Sequence, residues 1–244
     1  MGAHRERLKV LLLQLRENEE TKKIDYDSYL ATTGLAQEQI RAFDVLAHAP
    51  AISDLNGVDA VIVGGAKWSV WEDVPNQPAL IEVLKAAREK KIPILGVCYG
   101  AQLLAHAFGG EVVRDMEHEE WGTFEIETTD DAITDMLLAD APFSFPAQCA
   151  HHDRISKLPH SATLLASSAR CGVQAFVIPG TDIYAFQFHP ERSKASYEAM
   201  LTMRGRDYSA DQTDLEKIRA SLKETKEAES LITKFIDRIV LARK

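Results

Sequence analysis

The sequence predicts an α/β fold built around a mostly parallel β-sheet, and three observations support this. Short apolar runs bounded by turn residues, typical of buried parallel strands, occur at Lys9–Leu15, Asp59–Val63 and Ile92–Val97. Helical periodicity over Gln77–Lys90, between the last two runs, makes a strand–helix–strand crossover, and such a crossover joins parallel strands. The third observation is length, because 244 residues fit one large α/β domain better than two complete ones.

The remaining elements are predicted from the same kinds of pattern. A helix follows Cys98 and ends at Gly109-Gly110, and a charged tail with apolar residues at helical spacing runs from Ala210 onward. The tail predicts one or two amphipathic helices packed on the domain, with a partner-binding helix as the less common alternative. Residues 16–57 are harder to interpret: Arg16–Lys23 suggests a polar excursion above the strand ends, and Ile40–Leu46 suggests a strand. Later β-like stretches are Thr123–Thr128, Thr163–Ser168, Val173–Ile178 and Ile183–Phe188.

Composition narrows the function classes. The formal net charge is -9, which argues against a broad nucleic-acid footprint or binding to an anionic membrane surface. No apolar run approaches the roughly 20 residues needed to span a bilayer, and the N-terminal apolar stretch is too short for a signal peptide. Three cysteines without regular spacing suit a reducing compartment. We therefore expect a cytoplasmic protein with neither a nucleic-acid nor a membrane partner.

The strongest local signal is the segment Gly96-Val97-Cys98-Tyr99-Gly100, which lies between a predicted strand and a predicted helix. A nucleophile in a Gly-x-nucleophile-x-Gly turn occupies a sharp strand-to-helix corner, where glycines relieve the crowding. The corner also places the thiol at a helix N-terminus, which favours the thiolate. A buried structural cysteine is the alternative, and the strand–turn–helix context favours the nucleophile.

A cysteine nucleophile needs a base and a group that orients the base. His189 ends the predicted strand Ile183–Phe188, and Glu191 follows two residues later, so both side chains are candidates for the same crevice. Backbone N–H groups must stabilise the oxyanion, and those of Tyr99 and Gly65 are the candidates.

Taken together, these motifs resemble class I, triad-type glutamine amidotransferases, most of all the amidotransferase portion of GMP synthetases. The resemblance runs from about residue 9 to 193 in the family's order and spacing. Ala66 departs from the proline that often follows the family's Gly-Gly loop, and only His151 and Asp153 match its Ser-His-Gly-Asp loop. The matching motifs are Gly96–Gln102, Gln187–Glu191, Gly64-Gly65, Gly109–Val112 and Glu120-Trp121-Gly122.

The resemblance implies a flavodoxin-like three-layer α/β sandwich in one domain, with a core at about 9–193 and a C-terminal helical extension at about 194–244. It implies that Cys98 attacks the γ-carbonyl of glutamine or of a γ-glutamyl compound, that ammonia leaves, and that water then hydrolyses the glutamyl thioester. His189 would act as acid and base. The glutamyl group would be held by Gln102, Tyr99 and the Gly64-Gly65 loop, with further contacts from His151 and Asp153. No cofactor or metal is expected.

Alternatives remain open at this point. Trp68 and Trp71 are candidates for walls of the pocket, although a core tryptophan is equally common, and Cys171 is expected to be structural. The chain is either a self-sufficient γ-glutamyl hydrolase or a glutaminase subunit that supplies ammonia to a separate synthetase. The segments that the chain has in addition to a compact amidotransferase core slightly favour the hydrolase. An inactive binding protein on the same fold is a third possibility. Metal ligation by Cys149, His151, His152 and Asp153 is disfavoured, because two adjacent histidines rarely converge on one ion.

Overall fold

A computed structural model describes residues 2–207 and 212–243. The strands are β1 (Val10–Gln14), β2 (Ile40–Asp44), β3 (Ala60–Val63), β4 (Ile94–Val97), β5 (Glu111–Arg114), β6 (Glu120–Thr128), β7 (Ser144–His151), β8 (Asp153–Lys157), β9 (Thr163–Ser167), β10 (Ala175–Ile178) and β11 (Ile183–Phe186). The helices are α1 (Gly2–Arg5), α2 (Glu19–Thr33), α3 (Gln77–Glu89), α4 (Tyr99–Ala107), α5 (Lys194–Asp207), α6 (Gln212–Ser221) and α7 (Lys226–Lys234), which continues as a π-helix over Phe235–Val240.

Nine strands form the central sheet, in the order β2-β1-β3-β4-β11-β10-β9-β6-β7, and β5 pairs with β8 in a separate two-stranded sheet. The pairs from β2 through β11 are parallel. From β11 onward the pairs to β10, β9, β6 and β7 are antiparallel. The carboxyl ends of the five parallel strands therefore share one edge of the sheet.

Apolar side chains fill both faces of the parallel strands, which explains why these strands are continuous apolar runs in the sequence. Leu12 and Ile62 pack on one face, with Tyr29 of α2 and Phe235 of the π-helix. Leu13 and Val63 pack on the other face, with α3 and α4. Helices therefore cover both sides of the sheet, and the predicted three-layer α/β architecture is confirmed.

Residues 16–57 contain an element that the sequence did not reveal. The polar excursion expected at Arg16–Lys23 is wrong, because helix α2 begins at Glu19 after Asn18 caps its first turn. The buried face of α2 is largely polar and includes Asp25, Ser28 and Thr32, so apolar periodicity could not reveal it. The strand predicted at Ile40–Leu46 is confirmed as β2.

Strand β7 was also missed, although it carries part of the site. It ends at His151, and β8 begins at Asp153, so the segment from Ala150 to Asp153, which aligns with the family's Ser-His-Gly-Asp loop, is the corner between two strands. The predicted start of the charged tail, Ala210, lies outside the residues that the structure describes. So do residues 1 and 244, the predicted bounds of the domain. The apolar positions of the tail are buried from Leu222 to Ile239, which confirms core packing for α7 and the π-helix. No described helix is long and apolar enough to cross a membrane.

Candidate active site

The central residues of the candidate site directly follow, or lie shortly after, four adjacent parallel strands. Arg16 follows β1, Gly65 follows β3, Cys98 directly follows β4, and His189 follows β11. Since the strands are parallel neighbours, the four residues converge at the carboxyl edge of the sheet, where open α/β sheets bind ligands.

Cys98 stands at a sharp corner between β4 and α4. Its φ of 54° and ψ of -107° lie outside the regions that side chains readily adopt. Two close approaches require glycine: a Cβ on Gly100 would lie 2.2 Å from the carbonyl oxygen of Val63, and one on Gly96 would lie 2.6 Å from that of Gly100. The Cys98 N–H donates to the carbonyl of Phe186 at 2.8 Å, which ties the corner to β11. The local geometry is that of a nucleophile elbow.

His189 lies beside Cys98 and is held from two directions. Its Nδ1 bonds Oε1 of Glu191 at 2.8 Å, and its backbone N–H donates to Gln148 of β7 at 2.7 Å. A Cβ atom on Gly65 would lie 3.2 Å from His189 Cε1 and 3.6 Å from Cys98 Cβ, so the imidazole and the cysteine face the same point. Because Glu191 engages Nδ1, Nε2 is the nitrogen available to the thiol.

Electrostatic interactions favour the charged forms of both His189 and Glu191. Burial alone would lower the pKa of His189, but the interactions of the imidazole with Glu191 and Cys98 outweigh it and raise the pKa to about 9. Burial would raise the pKa of Glu191, but attraction and hydrogen bonding to His189, with help from Arg192, lower it to about 2. At neutral pH His189 therefore carries a proton that it can donate to a leaving group.

A buried charge network behind this pair was not predicted from the sequence. Arg192 donates to Asp25 at 2.5 Å, and its Nε lies 3.2 Å from Oε1 of Glu191. Arg16 shares the same Asp25 oxygen at 3.0 Å. Two carboxylates and two guanidinium groups thus neutralise one another in the interior, which buried charges require. Arg192 directly follows the His-Pro-Glu triplet. This position was the one signal in the sequence that could have pointed to the charge network.

The two glycines of the loop after β3 face opposite surroundings. A Cβ on Gly65 would approach Arg16, His189 and Cys98, whereas one on Gly64 would lie 3.1 Å from Oδ2 of Asp25. Gly65 therefore lies beside Cys98 and His189, and its role as an oxyanion donor remains a prediction, whereas Gly64 packs against α2. The substrate contact predicted for Gly64 remains a prediction.

A cavity of about 460 Å³ opens in front of Cys98. Tyr99, Gln102, His151 and Asp153, all named from the sequence, contribute to its wall. The Gln102 side chain donates to the carbonyl of Asp153 at 2.9 Å, and the Asp153 carboxylate is held by Ser69 and by Arg114. These contacts fix polar groups on one side of the cavity.

His151 belongs to a second buried histidine–glutamate pair. Its Nε2 lies 2.9 Å from Oε2 of Glu120, and its Nδ1 lies 3.1 Å from the carbonyl of Asp153. Glu120, Cys149 and His151 present possible metal-ligand atoms within 4.8 Å of one another. This trio differs from the ligand set considered from the sequence. Since Ser168 and Gln174 also bind Glu120 at 2.6 and 2.5 Å, hydrogen bonds already engage both carboxylate oxygens.

The two tryptophans of the loop after Gly65 have different surroundings. Trp68 contributes to the cavity wall and also packs against the core, so both predicted roles apply to it. Trp71 is 48% exposed and lies beneath the guanidinium of Arg114. Cys171 is buried, and burial raises its pKa to about 12, consistent with a structural thiol.

Comparisons with known proteins agree with this geometry. The family model described as glutamine amidotransferase class I matches residues 28–205. One of the chains of the glutamine-hydrolysing GMP synthase from Thermoplasma acidophilum is 34% identical over 145 residues, which are 59% of this chain and 69% of that one. A GMP synthase from Dehalococcoides mccartyi is 38% identical over 141 residues, which are 57% of this chain but only 24% of that protein.

A solved glutamine amidotransferase from Thermotoga maritima superposes with a TM-score of 0.79 at 20% identity, covering 96% of this chain and 98% of that one. At that identity the likeness shows the fold. The family match, however, covers well over half of the chain, so this chain belongs to the class I glutamine amidotransferase family. It is an enzyme of that family, and it resembles the amidotransferase portion of GMP synthases.

Proposed function

We propose that this chain hydrolyses the γ-amide of glutamine or of a γ-glutamyl compound, with Cys98 as nucleophile, His189 as acid and base, and Glu191 as the group that orients His189. The observation that carries the proposal is the nucleophile elbow at Cys98, beside the buried and charged pair of His189 and Glu191. This is the combination that acyl transfer through a thioester needs.

The chemistry follows from the charges. The Cys98 thiolate attacks the γ-carbonyl carbon and forms the C–S bond, while the N–H groups of Gly65 and Tyr99 stabilise the oxyanion. His189 gives its proton to the amide nitrogen as the C–N bond breaks, and ammonia or an amine leaves. His189 then takes a proton from water, whose oxygen attacks the thioester. Glutamate departs and Cys98 is regenerated.

Two versions of this function have separate support. The relatives named as GMP synthases favour a glutaminase subunit that feeds ammonia to a synthetase partner. The cavity wall favours a self-contained hydrolase, because Leu201 of α5 and Leu215 and Ile218 of α6 supply part of that wall from within this chain. We favour the hydrolase and place it in the cytoplasm, where its buried free cysteines remain reduced.

The test is steady-state kinetics of the isolated chain with glutamine and a panel of γ-glutamyl amides. We expect turnover, a loss of at least about 10⁴-fold in kcat for Cys98→Ala, and little change for the matched variant Cys171→Ala. A glutamine-directed electrophile should label Cys98 first, because burial raises the pKa of both Cys149 and Cys171.

Two results would contradict the proposal. Labelling of Cys171 before Cys98 would remove the nucleophile assignment. Turnover of every substrate only after a synthetase is added would replace the hydrolase with the ammonia-supplying subunit.

A further inference from the structure

The cavity in front of Cys98 is larger than glutamine requires. Its volume of about 460 Å³ falls within the range of about 300–1,000 Å³ that holds drug-sized ligands. The glutamyl part is a short chain, and the polar groups proposed to hold it come from α4 and from the corner between β7 and β8. Space therefore remains for a substituent on the amide nitrogen.

The rest of the cavity wall comes from other elements and contains large apolar side chains, together with Lys67, Glu119, His152, Asp214 and Lys217. Trp68 lies in the loop after Gly65, Trp121 lies in β6, and Leu201 lies in α5. Leu215 and Ile218, three residues apart, present one face of α6 to the same cavity. Large apolar side chains around an open volume favour an apolar occupant.

The apolar wall is held in place by specific contacts. A Cβ on Gly122 would lie 2.1 Å from Oγ of Ser221, so α6 closely approaches β6 at this glycine. The backbone N–H of Lys223, just beyond α6, donates to Thr123 at 2.9 Å, and the side chain of Gln148 donates to the carbonyl of Lys223 at 2.9 Å. Helix α6 is thus fastened to the strands that carry the site.

The lysines in the wall already have partners. Lys67 lies 2.6 Å from Glu17, and Lys217 lies 3.1 Å from Asp214. A neutral apolar substituent fits this lining without separating either pair.

We propose that the preferred substrate is a γ-glutamyl amide whose nitrogen carries a large apolar group, such as a benzyl or branched alkyl group, seated between Trp68, Trp121 and α6. This inference rests on the proposed function. The reaction is the one described above, except that the C–N bond cleavage releases an amine in place of ammonia.

The experiment compares γ-glutamylbenzylamide, γ-glutamylmethylamide and glutamine as substrates of the full chain. In apolar pockets each additional buried carbon group changes kcat/KM by about 10-fold or more, so we expect kcat/KM for the benzylamide to exceed that for the methylamide by at least about 10-fold. In Ile218→Asn the benzyl-to-methyl ratio should fall by at least about three-fold. In the matched variant Glu216→Ala, whose side chain is exposed on the same helix, the ratio should stay unchanged.

The outcomes separate this inference from the function on which it rests. Equal or better turnover of the methylamide or of glutamine overturns the apolar preference and leaves the proposed function intact. An unchanged ratio in a folded Ile218→Asn variant overturns the assignment of α6, and the wild-type ratio alone tests the preference should that variant fail to fold. Absence of turnover with all three substrates overturns both proposals.

Discussion

Two buried histidine–glutamate pairs lie close together in this molecule, and they differ in what surrounds them. His189 and Glu191 are 2.8 Å apart, and His151 and Glu120 are 2.9 Å apart. In the first pair Glu191 engages only Nδ1, while the other edge of the ring faces Cys98. In the second pair both ring nitrogens of His151 have partners, Glu120 and the carbonyl of Asp153.

The glutamate carboxylates of the two pairs also differ in the groups that bind them. Glu191 contacts the guanidinium of Arg192, which belongs to a network with Asp25 and Arg16. Glu120 is bound by neutral donors of Ser168 and Gln174. A histidine–glutamate pair is thus suited to proton transfer only where one ring nitrogen remains available beside a nucleophile. The second pair is suited to shaping the cavity wall.

Substitution of the two histidines tests this distinction most strongly. We expect His189→Ala to lower kcat by at least about 10⁴-fold, because it removes the proposed acid and base. His151→Ala should lower kcat by at most about 100-fold, because it only displaces groups that we propose to position the substrate. Single-turnover and steady-state kinetics of both variants provide the measurement. Equal losses would mean that His151 also transfers protons.

Removal of Arg192, the charged neighbour of Glu191, should have the next largest effect. Arg192→Met leaves Asp25 and Glu191 without one of their buried cations, so we expect the free energy of unfolding to fall by about 3–5 kcal/mol. Ser168→Ala removes a neutral donor from Glu120 and should cost about 1–2 kcal/mol. Denaturant titrations measure both values. Equal costs would show that the charge network does not distinguish the two pairs.

The pH dependence of stability sharpens the comparison further. The pKa of Glu191 is lowered from 4.5 to about 2, so its contribution is complete above pH 4.5 and is lost as the pH falls toward 2. The pKa of His189 is raised from 6.5 to about 9, so its contribution is complete below pH 6.5 and is lost as the pH rises through 9. The pair should therefore stabilise the fold most between pH 4.5 and 6.5.

Unfolding free energies across this range provide the measurement. Glu191→Gln should be less stable than the wild type by about 2 kcal/mol within the window, with a smaller difference outside it. Glu216→Gln, an exposed substitution, serves as the control and should follow the wild-type curve. A constant difference at all pH values would contradict the assigned charges.

Treatment with a metal chelator should have the smallest effect on activity and stability. Because hydrogen bonds already engage Glu120 and His151, we expect a strong chelator to leave activity and thermal stability unchanged. Loss of either property on chelation, with recovery on addition of zinc, would identify Glu120, Cys149 and His151 as a metal site.

The sequence predicted the parallel half of the molecule well because each signal there was local. The apolar strands β1, β3 and β4 are confirmed within one or two residues at each end, and Cys98 lies at the corner that its flanking glycines predicted. The prediction of the antiparallel half was less complete: β6 begins earlier than predicted, and β7 was missed because its buried positions include the polar residues Gln148 and His151.

The sequence by itself determined the α/β class, the elbow and the adjacency of His189 to Glu191, since each depends on residues close together in the chain. Tertiary structure alone decided which distant groups meet them. Asp25 of α2 reaches Arg192 across 167 positions, and α6 contributes to the wall of the same cavity as Cys98. Such contacts depend on sheet order and helix placement, which short-range periodicity does not encode. For that reason Cys98 could be predicted as the nucleophile from the residues, but the size of the cavity in front of it and the apolar residues in its wall could not be predicted.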